Sequence, residues 1–460
     1  MAVDPDDKPR WWKDRRKLAA AIAIAVLAVG AVVAIAYNAL KRPGDVSNPD
    51  VSFEQGKQRK PVVKTTNWTM FGYDRQRTRF LPANKVKPPY QRIWKYGDGP
   101  LLEFPPIFVK AARLCEKRTG AGCGGRLYFV NNNGRAFSLD AESGKILWQR
   151  DIARLNASSP AYANGRLYIV NLSPGQALSL DAKSGKTIWK RPLPGRSESS
   201  PLVIGNRVYF GCESGELFAL NARTGRTQWT AQLDGPVKAA PAYERGILYV
   251  GDYGGTMSAV RASNGEIKWQ SDSLGLSLGR AGAFYSTPAV AFGRVYSGNN
   301  DSRVYSFDAK TGELAWTYST GSYVYSGTAV ADTKSTPPTV YVGSIDQNIY
   351  AIDARSGEPR WIESAGGPVI GSLSVVGNVV YVATFEGTTT SGFKLAGGKK
   401  VFSYPTGAYM PVISDGRRLY LTGYSSIHAL DPVTPGEARA AKSKRRAQQR
   451  QGKGAQRAAG

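Results

Sequence analysis

The stretch RLYIVNLSPGQALSLDAKSGKTIW, residues 166–189, decides the fold of this 460-residue chain, because related stretches recur along most of its length. The final aromatic residues of successive copies lie 40 to 47 residues apart. These residues are Trp148, Trp189, Trp229, Trp269, Trp316, Trp361 and Phe402. A tyrosine precedes each of them by 20 or 21 residues. A repeat of this period indicates an array of identical supersecondary units.

Each unit is predicted to contain four short strands. In the quoted copy, SSPAYANG at 158–165 leads into RLYIV, ALSLD follows, and KTIWK comes after the turn DAKSG at 181–185. RLYIV and ALSLD alternate at period two, which is typical of strands with one buried face. In the turn, Asp181 can accept backbone N–H bonds and Gly185 supplies a positive φ angle. The acids of these repeated turns are therefore predicted to be structural.

Four-stranded units at this spacing predict the blades of a β-propeller. The last copy, AYMPVISDGRRLYLTGYSSIHALD at 408–431, supplies only three strands. We predict the missing fourth strand at the start of the array, in QRIWKYGDG around Trp94. A blade built from both ends of the array removes an open sheet edge. The prediction is an all-β, eight-bladed propeller over residues 67–432, closed by N- and C-terminal strands.

The repeated phrase resembles that of pyrroloquinoline-quinone-type (PQQ-like) β-propellers, the superfamily of quinoprotein and BamB-like propellers. The segment NWTMFGYDRQRTRF at 67–80 is similar to the lead-in of such proteins. The resemblance implies that the repeated aromatic residue packs between neighbouring blades. The residues in this position are Trp94, Trp148, Trp189, Trp229, Trp269, Trp316, Trp361 and Phe402. Because this fold hosts both enzymes and scaffolds, the resemblance does not specify the chemistry.

Residues 18–40 carry no charge and are almost all Ala, Ile, Val and Leu, which is long enough for a transmembrane helix. The basic flank RWWKDRRK places residues 1–17 in the cytoplasm and the propeller outside it. A cleaved signal peptide, ending at the Ala-Ile-Ala pattern of 34–36, is the alternative, although its apolar region typically has only about 7–15 residues. We favour a retained single-pass anchor in a bacterial cell membrane, followed by a flexible stem over 41–66.

The net charge is +26, of which residues 61–436 carry +15 and residues 437–460 carry +7. Outside the cytoplasm, this surplus favours an envelope protein, an anionic lipid or an anionic wall polymer as partner, and a merely solvated basic surface is the alternative. Nucleic acid is disfavoured by the topology and by the lack of a recognisable binding motif. The tail over 433–460 has too few apolar residues to fold and is predicted to be disordered.

The chain contains three cysteines. Cys115 and Cys123 flank the polar insertion EKRTGAG between two predicted strands. Because the ends of such a hairpin lie close together, a disulfide between them is expected in an exported protein. Cys212, beside Gly211, is predicted to be a small buried residue.

No catalytic set is recognisable in the sequence. The resemblance implies that a quinone dehydrogenase would need a disulfide ring between adjacent cysteines, a calcium site and a catalytic acid, and no Cys-Cys pair exists. The corners before the innermost strands, such as SSP at 158–160, are poor in calcium ligands. Glu103, Asn156 and Glu198 lie near the same mouth as scattered single residues. His428, the only histidine, has the register of core aromatic residues and is predicted to be structural.

The sequence therefore predicts a monomeric, membrane-anchored and non-catalytic binding or scaffold module of the cell envelope, with no cofactor or metal. The alternatives are a quinone-dependent dehydrogenase with a divergent site for PQQ and calcium, and a receptor for a small polar ligand at the axial channel. Tyrosine and arginine are the residues that most often anchor interfaces. The candidate binding residues at the channel mouth are Arg196, Lys238, Tyr285, Tyr323, Tyr325 and Tyr409.

Overall fold

The computed structural model describes residues 29, 43–55, 66–83, 85–97, 99–115, 120–276, 281–409, 412–437 and 439–440. No helix in these ranges has the length and apolar character of a membrane span. The expected cytoplasmic segment 1–17 and, apart from Val29, the expected anchor 18–40 lie outside the described residues. Most of the tail expected over 433–460 also lies outside them.

In the described part of the chain, thirty-three strands form eight sheets around one axis, which confirms the predicted all-β, eight-bladed propeller. Two strands precede the repeats, β1 (Phe80–Leu81) and β2 (Tyr90–Gly97). Blade 1 contains β3 (Ile107–Val109), β4 (Arg126–Val130), β5 (Arg135–Asp140) and β6 (Ile146–Asp151). Blade 2 contains β7 (Ala161–Ala163), β8 (Arg166–Asn171), β9 (Gln176–Asp181) and β10 (Thr187–Pro192). Blade 3 contains β11 (Leu202–Ile204), β12 (Arg207–Gly211), β13 (Glu216–Asn221) and β14 (Thr227–Gln232).

The remaining blades follow the same order. Blade 4 contains β15 (Ala242–Glu244), β16 (Ile247–Gly251), β17 (Thr256–Arg261) and β18 (Ile267–Asp272). Blade 5 contains β19 (Ala289–Ala291), β20 (Arg294–Gly298), β21 (Arg303–Asp308) and β22 (Leu314–Ser319). Blade 6 contains β23 (Ala329–Thr333), β24 (Thr336–Gly343), β25 (Asn348–Asp353) and β26 (Pro359–Ser364). Blade 7 contains β27 (Ser374–Val376), β28 (Val379–Ala383), β29 (Thr390–Lys394) and β30 (Lys400–Tyr404), and blade 8 contains β31 (Val412–Ser414), β32 (Leu419–Thr422) and β33 (Ser426–Pro432).

Blade 8 is completed by β2, which pairs antiparallel with β33 as its outermost strand. Trp94 lies opposite Ala429, and Lys95 lies opposite His428. This pairing confirms the predicted closure of the ring by N- and C-terminal strands. Blade 7 gains a fifth strand because β1 pairs parallel with β27 at the axis.

The tryptophans of the outermost strands lie between neighbouring blades. The indole Nε1 of Trp229 donates to the Ala262 carbonyl of the next blade at 3.1 Å. A Cβ on Gly265, whose φ is +81°, would lie 2.7 Å from Cε3 of Trp229, so the turn glycine also makes room for the indole ring. Equivalent indole bonds join Trp94 to Ala141, Trp148 to Ala182, Trp189 to Ala222, Trp269 to Ala309, Trp316 to Ala354 and Trp361 to Leu395. Phe402, which has no indole N–H, packs against Tyr90 and Tyr381 with ring centroids 5.3 and 5.8 Å away.

The repeated turn acids bind their own turns. Asp181 Oδ1 accepts bonds from the backbone N–H and the hydroxyl of Ser184, at 2.8 and 2.7 Å. Asp308 accepts from the backbone N–H groups of Lys310 and Thr311 at 2.8 and 2.9 Å. These carboxylates are therefore occupied by the turn and lie far along the strands from the axial opening.

Residues 43–55, here called the strap, lie against blade 5, although the sequence predicts a flexible stem over 41–66. Their backbone pairs with the outer edge of β22 through a bridge between Ser47 and Trp316. Phe53 stacks on Phe292 with ring centroids 5.3 Å apart. The free edge of an outermost strand offers unpaired N–H and C=O groups, and the strap satisfies them. Residues 56–65 lie outside the described residues.

The insertion in blade 1 carries a short 3₁₀ helix, Ala112–Leu114, followed by a disulfide. Cys115 and Cys123 are joined with their Cα atoms 4.5 Å apart. Cys212 is a free, buried thiol whose Sγ lies 3.2 Å from the Arg196 carbonyl oxygen.

Candidate functional site

The loops of the propeller lie on two opposite faces. The face that carries the blade-to-blade connections and the loops between second and third strands is here called the mouth face, and the opposite one is called the base. A cavity of about 70 Å³ opens on the axis at the mouth face. It is lined by Phe71, Glu103, Phe104, Glu198, Ser200, Lys238, Ala240, Tyr285, Thr287, Tyr325, Ile370, Gly371, Ser372 and Tyr409.

The floor of this cavity is Phe71. It belongs to residues 67–81, here called the plug, most of which the sequence identifies only as a lead-in. The plug runs around the inside of the ring and its carbonyls accept N–H bonds from the innermost strands. The pairs are Trp68 with Phe108, Thr69 with Tyr162, Arg75 with Tyr243, Gln76 with Val290, Thr78 with Val330 and Arg79 with Val375, at 2.8 to 2.9 Å. The plug therefore joins blades 1, 2, 4, 5, 6 and 7 across the axis.

Two buried arginines fix the plug beneath the mouth. Arg77 and Arg79 are 0% and 1% exposed. Arg77 donates to the carbonyls of Ser200 and Pro241 at 3.1 and 3.0 Å. Arg79 donates to the Thr328 carbonyl at 2.8 Å. Burial lowers the pKa of both arginines to about 9, so both remain charged at neutral pH.

Phe71 covers these charges on the side of the mouth. The centre of its ring lies 5.9 Å from Cζ of Arg77 and 5.2 Å from Cζ of Arg79. It also makes an edge contact with Phe104, with centroids 5.6 Å apart. The bottom of the cavity is therefore an aromatic surface above two cations, and not an open channel.

A lysine between two carboxylates forms one wall of the cavity. Lys238 Nζ lies 2.9 Å from Glu198 and 3.3 Å from Glu213, and 5.3 Å above the ring of Tyr253. Tyr285 donates its hydroxyl hydrogen to Glu198 at 3.3 Å. Although burial works in the opposite direction, the hydrogen bond and charge of Glu198 raise the pKa of Lys238. Lys238 is therefore held between two carboxylates in the wall of the cavity.

Glu103 lies opposite this wall with a weaker set of partners. Its carboxylate accepts one bond from Asn132 at 3.4 Å. Burial and then the negative charge of Glu198 raise the pKa of Glu103 to about 7. Near neutral pH, Glu103 is therefore a partly protonated carboxyl group at the mouth, where a positively charged group would favour its ionised form.

Tyrosines surround the cavity in edge contact with one another. Tyr285 contacts Tyr253 and Tyr325 with centroids 5.9 and 5.6 Å apart, and Tyr323 contacts Tyr325 at 5.9 Å. Tyr409 packs against Phe385 at 5.2 Å. The structure thus brings four of the six candidate residues to the cavity, while Tyr323 lies at its rim.

Arg196, the sixth candidate, is exposed on the mouth face and does not line the cavity. The sequence reasoning missed Phe71 and Tyr253 entirely. It noted Glu103 and Glu198 but had no means of pairing residues from distant loops. Only the closed ring, with one connecting loop from each blade at the same opening, makes them neighbours.

His428 lies in the interior of blade 8. Its Nδ1 lies 3.0 Å from the Tyr404 hydroxyl, and its Nε2 lies 3.0 Å from the Ser426 hydroxyl. Burial, with smaller effects from Lys95 and Arg92, lowers the pKa of His428 to about 4. It is a neutral, hydrogen-bonded core residue without a partner at the mouth.

The residues of the mouth do not fit a calcium–quinone pair. Sites for small organic molecules usually enclose ~300–1,000 Å³, which is far more than the cavity above Phe71 provides. Among the described residues, no three His, Cys, Asp or Glu side chains are grouped in a way that could hold a metal ion. Glu198 and Glu213 already neutralise Lys238, so they are not free calcium ligands.

The family model described as "Outer membrane protein assembly factor BamB" matches residues 91–241 and 219–437 of this chain. No protein with a curated description matches the sequence. The chain is similar to the crystal structure of BamB from Moraxella catarrhalis, with a TM-score of 0.61 and 17% identity over 75% of this chain and 100% of that one. It is also similar to the quinohemoprotein alcohol dehydrogenase ADHIIG from Pseudomonas putida HK5, with a TM-score of 0.63 and 15% identity over 80% of each chain. A europium-containing methanol dehydrogenase gives a TM-score of 0.61 and 16% identity over 80% of this chain and 91% of that one. At these identities the structural similarities show the fold alone.

Proposed function

This chain belongs to the family of the outer membrane protein assembly factor BamB, and from that premise we propose that it is a membrane-anchored, extracytoplasmic propeller that acts as a non-catalytic binding or scaffold module in the cell envelope. The observation that carries the proposal is the plug. It fills the axis beneath the mouth with Phe71 and two buried arginines, in the place where an axial ligand would need depth. A shallow opening surrounded by aromatic residues suits contact with a protein surface better than enclosure of a small substrate.

The chemistry of the mouth indicates the character of the partner. Lys238 is already neutralised by Glu198 and Glu213, whereas Glu103 lacks a cation of its own. A lysine or arginine side chain of an envelope protein could bind Glu103 while its aliphatic part packs on Tyr285 and Tyr325. We therefore place the partner's basic residue at the axis. The surplus positive charge of the propeller is available for anionic lipid or wall polymer elsewhere on its surface.

Photo-crosslinking in intact cells tests this proposal. A photoreactive amino acid at Tyr323 on the mouth face should form an adduct with a discrete envelope protein, and one at Lys399 on the base should not. Glu103→Gln should reduce that adduct several-fold, whereas Glu266→Gln, an equivalent change on the base, should leave it unchanged. An adduct that forms only from the base, or one that is insensitive to Glu103, would place the partner elsewhere.

A quinone-dependent dehydrogenase is the second candidate, because structural neighbours include a quinohemoprotein alcohol dehydrogenase and a methanol dehydrogenase. Titration of the purified protein with pyrroloquinoline quinone and calcium separates the two functions. We expect neither stoichiometric quinone binding nor dye reduction with alcohols or sugars. Stoichiometric binding together with dye reduction would replace the scaffold proposal by the enzyme.

The anchor is tested separately from the partner. Flotation of cell membranes in a density gradient should carry the full-length protein with the membrane fraction, and N-terminal sequencing should find residues 1–17 retained. A soluble form that begins near Tyr37 would establish signal cleavage instead. External protease should reach the propeller only after the outer barrier of the cell is opened.

A further inference from the structure

The strap pairs with the outer edge of blade 5, beyond its fourth strand, and no other blade has such an outer addition in the described residues. The Val46 carbonyl of the strap accepts the Thr317 N–H at 3.0 Å, and the Asn48 N–H donates to the Ala315 carbonyl at 2.7 Å. Trp316 beneath it is only 1% exposed, because the strap covers the ring. The strap runs antiparallel to β22, so it lies along the height of the propeller and not around its circumference.

The first residues of the strap are fixed at the mouth face. Arg303, whose side chain is 3% exposed, pairs with the fully buried Asp301 at 3.2 Å and donates to the carbonyls of Pro43 and Gly275. Gly275 belongs to the loop that leads to Tyr285 of the mouth. Asp45 accepts the Ser319 N–H at 2.9 Å, at the mouth-side end of β22.

The last residues of the strap are fixed at the base. Glu54 donates its N–H to the Phe292 carbonyl at 2.8 Å and pairs with Arg245 of blade 4 at 3.1 Å. Arg294 donates to the carbonyls of Val51 and Ser52. In blade 2 the arginine of this register, Arg166, binds the next blade instead, at the carbonyls of Ala222 and Arg223. Contacts at both ends of the strap therefore fix its course, from Pro43 at the mouth face to Glu54 at the base.

All exposed aromatic side chains among the described residues lie on the mouth face. They are Tyr253, Tyr323, Phe385 and Tyr424, with 38%, 42%, 36% and 53% of their surface accessible. Tyrosine and other aromatic rings favour the headgroup region of a bilayer, where one part of the ring is apolar and the other is hydrated. Arg154 and Arg196, also exposed on this face, suit anionic headgroups.

We propose that the strap holds the mouth face of the propeller against the membrane, with lipid headgroups in contact with this aromatic rim. The inference rests on the membrane anchor of the proposed function. Only residues 41 and 42 separate the apolar segment 18–40 from Pro43, and the three Cα–Cα steps from residue 40 to residue 43 span at most about 11 Å. The strap then leads away from the bilayer along the propeller axis. A protein that binds the mouth consequently contacts it at the depth of the lipid headgroups.

Depth-dependent fluorescence quenching tests this orientation in vesicles of phosphatidylethanolamine and phosphatidylglycerol. The full-length protein carries a single fluorophore at Phe385→Cys on the mouth face or at Lys399→Cys on the base of the same blade. A six-residue strand spans about 20 Å, so the two positions differ greatly in depth. Headgroup-level quencher lipids should quench the Phe385 label several-fold more than the Lys399 label. Equal or reversed quenching overturns the proposal.

The double variant Asp45→Ala, Phe53→Ala provides the matched control, because it weakens the strap at both ends. The difference between the two labels should shrink while the protein still floats with the vesicles. Loss of flotation in the unmodified protein would instead show that the proposed anchor fails. Flotation without quenching of the Phe385 label in these protein-free vesicles would show that lipid does not cover the rim, and would overturn the lipid proposal in favour of a membrane protein.

Discussion

Arg77 and Arg79 are buried guanidinium groups whose hydrogen bonds go to backbone carbonyls of the inner strands. Each of these carbonyls faces the axis and would lack a hydrogen-bond donor without the arginine. A buried acceptor without a partner costs about 1–3 kcal/mol, and the two arginines satisfy several at once. The two arginines therefore stabilise the centre of the ring as well as filling it.

Arg77→Leu should lower the free energy of unfolding by about 3 kcal/mol or more, since it removes several buried hydrogen bonds together. Arg75→Leu in the same segment should change it by about 0.5 kcal/mol or less, because Arg75 is exposed. Urea unfolding followed by tryptophan fluorescence measures both values. Similar losses for the two variants would mean that the carbonyl contacts of Arg77 contribute little.

His428 should make the protein sensitive to mild acid. Its pKa is about 4 in the folded protein, against an ordinary value of 6.5. Between these values the unfolded chain binds a proton that the folded chain does not, so stability is lost as the pH falls from about 6.5 to 4. A shift of this size corresponds to about 3 kcal/mol. His428→Gln should flatten this part of a plot of urea midpoint against pH, and an unchanged slope would contradict the assignment.

Glu103 should make the stability of the protein depend on pH in the opposite direction. Its pKa is about 7 in the folded protein, against 4.5 ordinarily, so stability is lost as the pH rises through this interval. Glu103→Gln should therefore be more stable than the unmodified protein at pH values above 7, by about 1–3 kcal/mol. This gain in stability should vanish at pH values below 4.5, the ordinary pKa of the glutamate carboxyl group. A gain that persists in acid would point to a cause other than ionisation.

At the scale of the element, one glycine of the repeated turn must adopt a positive φ angle and must also leave room for a tryptophan of the neighbouring blade. Gly225 has φ of +71°, and an added Cβ would lie 2.7 Å from Cδ2 of Trp189 in the neighbouring blade. Gly205 also has a positive φ, +58°, but no atom lies within 4 Å of an added Cβ. The two positions therefore separate backbone strain from the fit between blades.

Gly205→Ala should cost about 1 kcal/mol, from the left-handed backbone alone. Gly225→Ala should cost about 2–4 kcal/mol, because overpacking of the blade interface is added to that strain. Thermal or urea unfolding measures the difference. If Trp189→Ala removes most of the extra cost in a double-mutant cycle, the contact with the indole is its cause. Equal losses at Gly205 and Gly225 would contradict this explanation.

The same elements show what could be predicted from the sequence. The blade strands alternate at period two and end in turns with defined chemistry, so their existence, order and closure through Trp94 follow from the pattern. The strap and the plug have no period. Their backbone groups bind strand edges far away in the chain, at Trp316 for the strap and at six inner strands for the plug. Arg77 and Arg79 have no local signal that distinguishes them from the exposed Arg75.

At the scale of the whole molecule, the ring is closed inside blade 8 by the pairing of β2 with β33, and the interface of that blade with blade 1 is here called the seam. Trp94 donates to the Ala141 carbonyl at 3.2 Å, and Arg418 donates to the same carbonyl at 3.0 Å. Arg417 pairs with Glu142 at 2.6 Å on the surface above them. The seam repeats the indole-to-carbonyl bond of six other blade interfaces, but its outer strand, β2, comes from the opposite end of the array.

Deletion of residues 91–96 removes most of β2 and should open the ring at this seam. Blade 8 would lose its outermost strand, and the edge of β33 together with the side of blade 1 would face water. Deletion of 441–460 leaves all thirty-three described strands intact and is the matched control. We expect the first deletion to lower the melting temperature sharply and to expose cleavage sites in blade 8 to limited proteolysis, and the second to change neither. If the two deletions behave alike, the plug, which joins six inner strands across the axis, is sufficient to hold the ring without the seam.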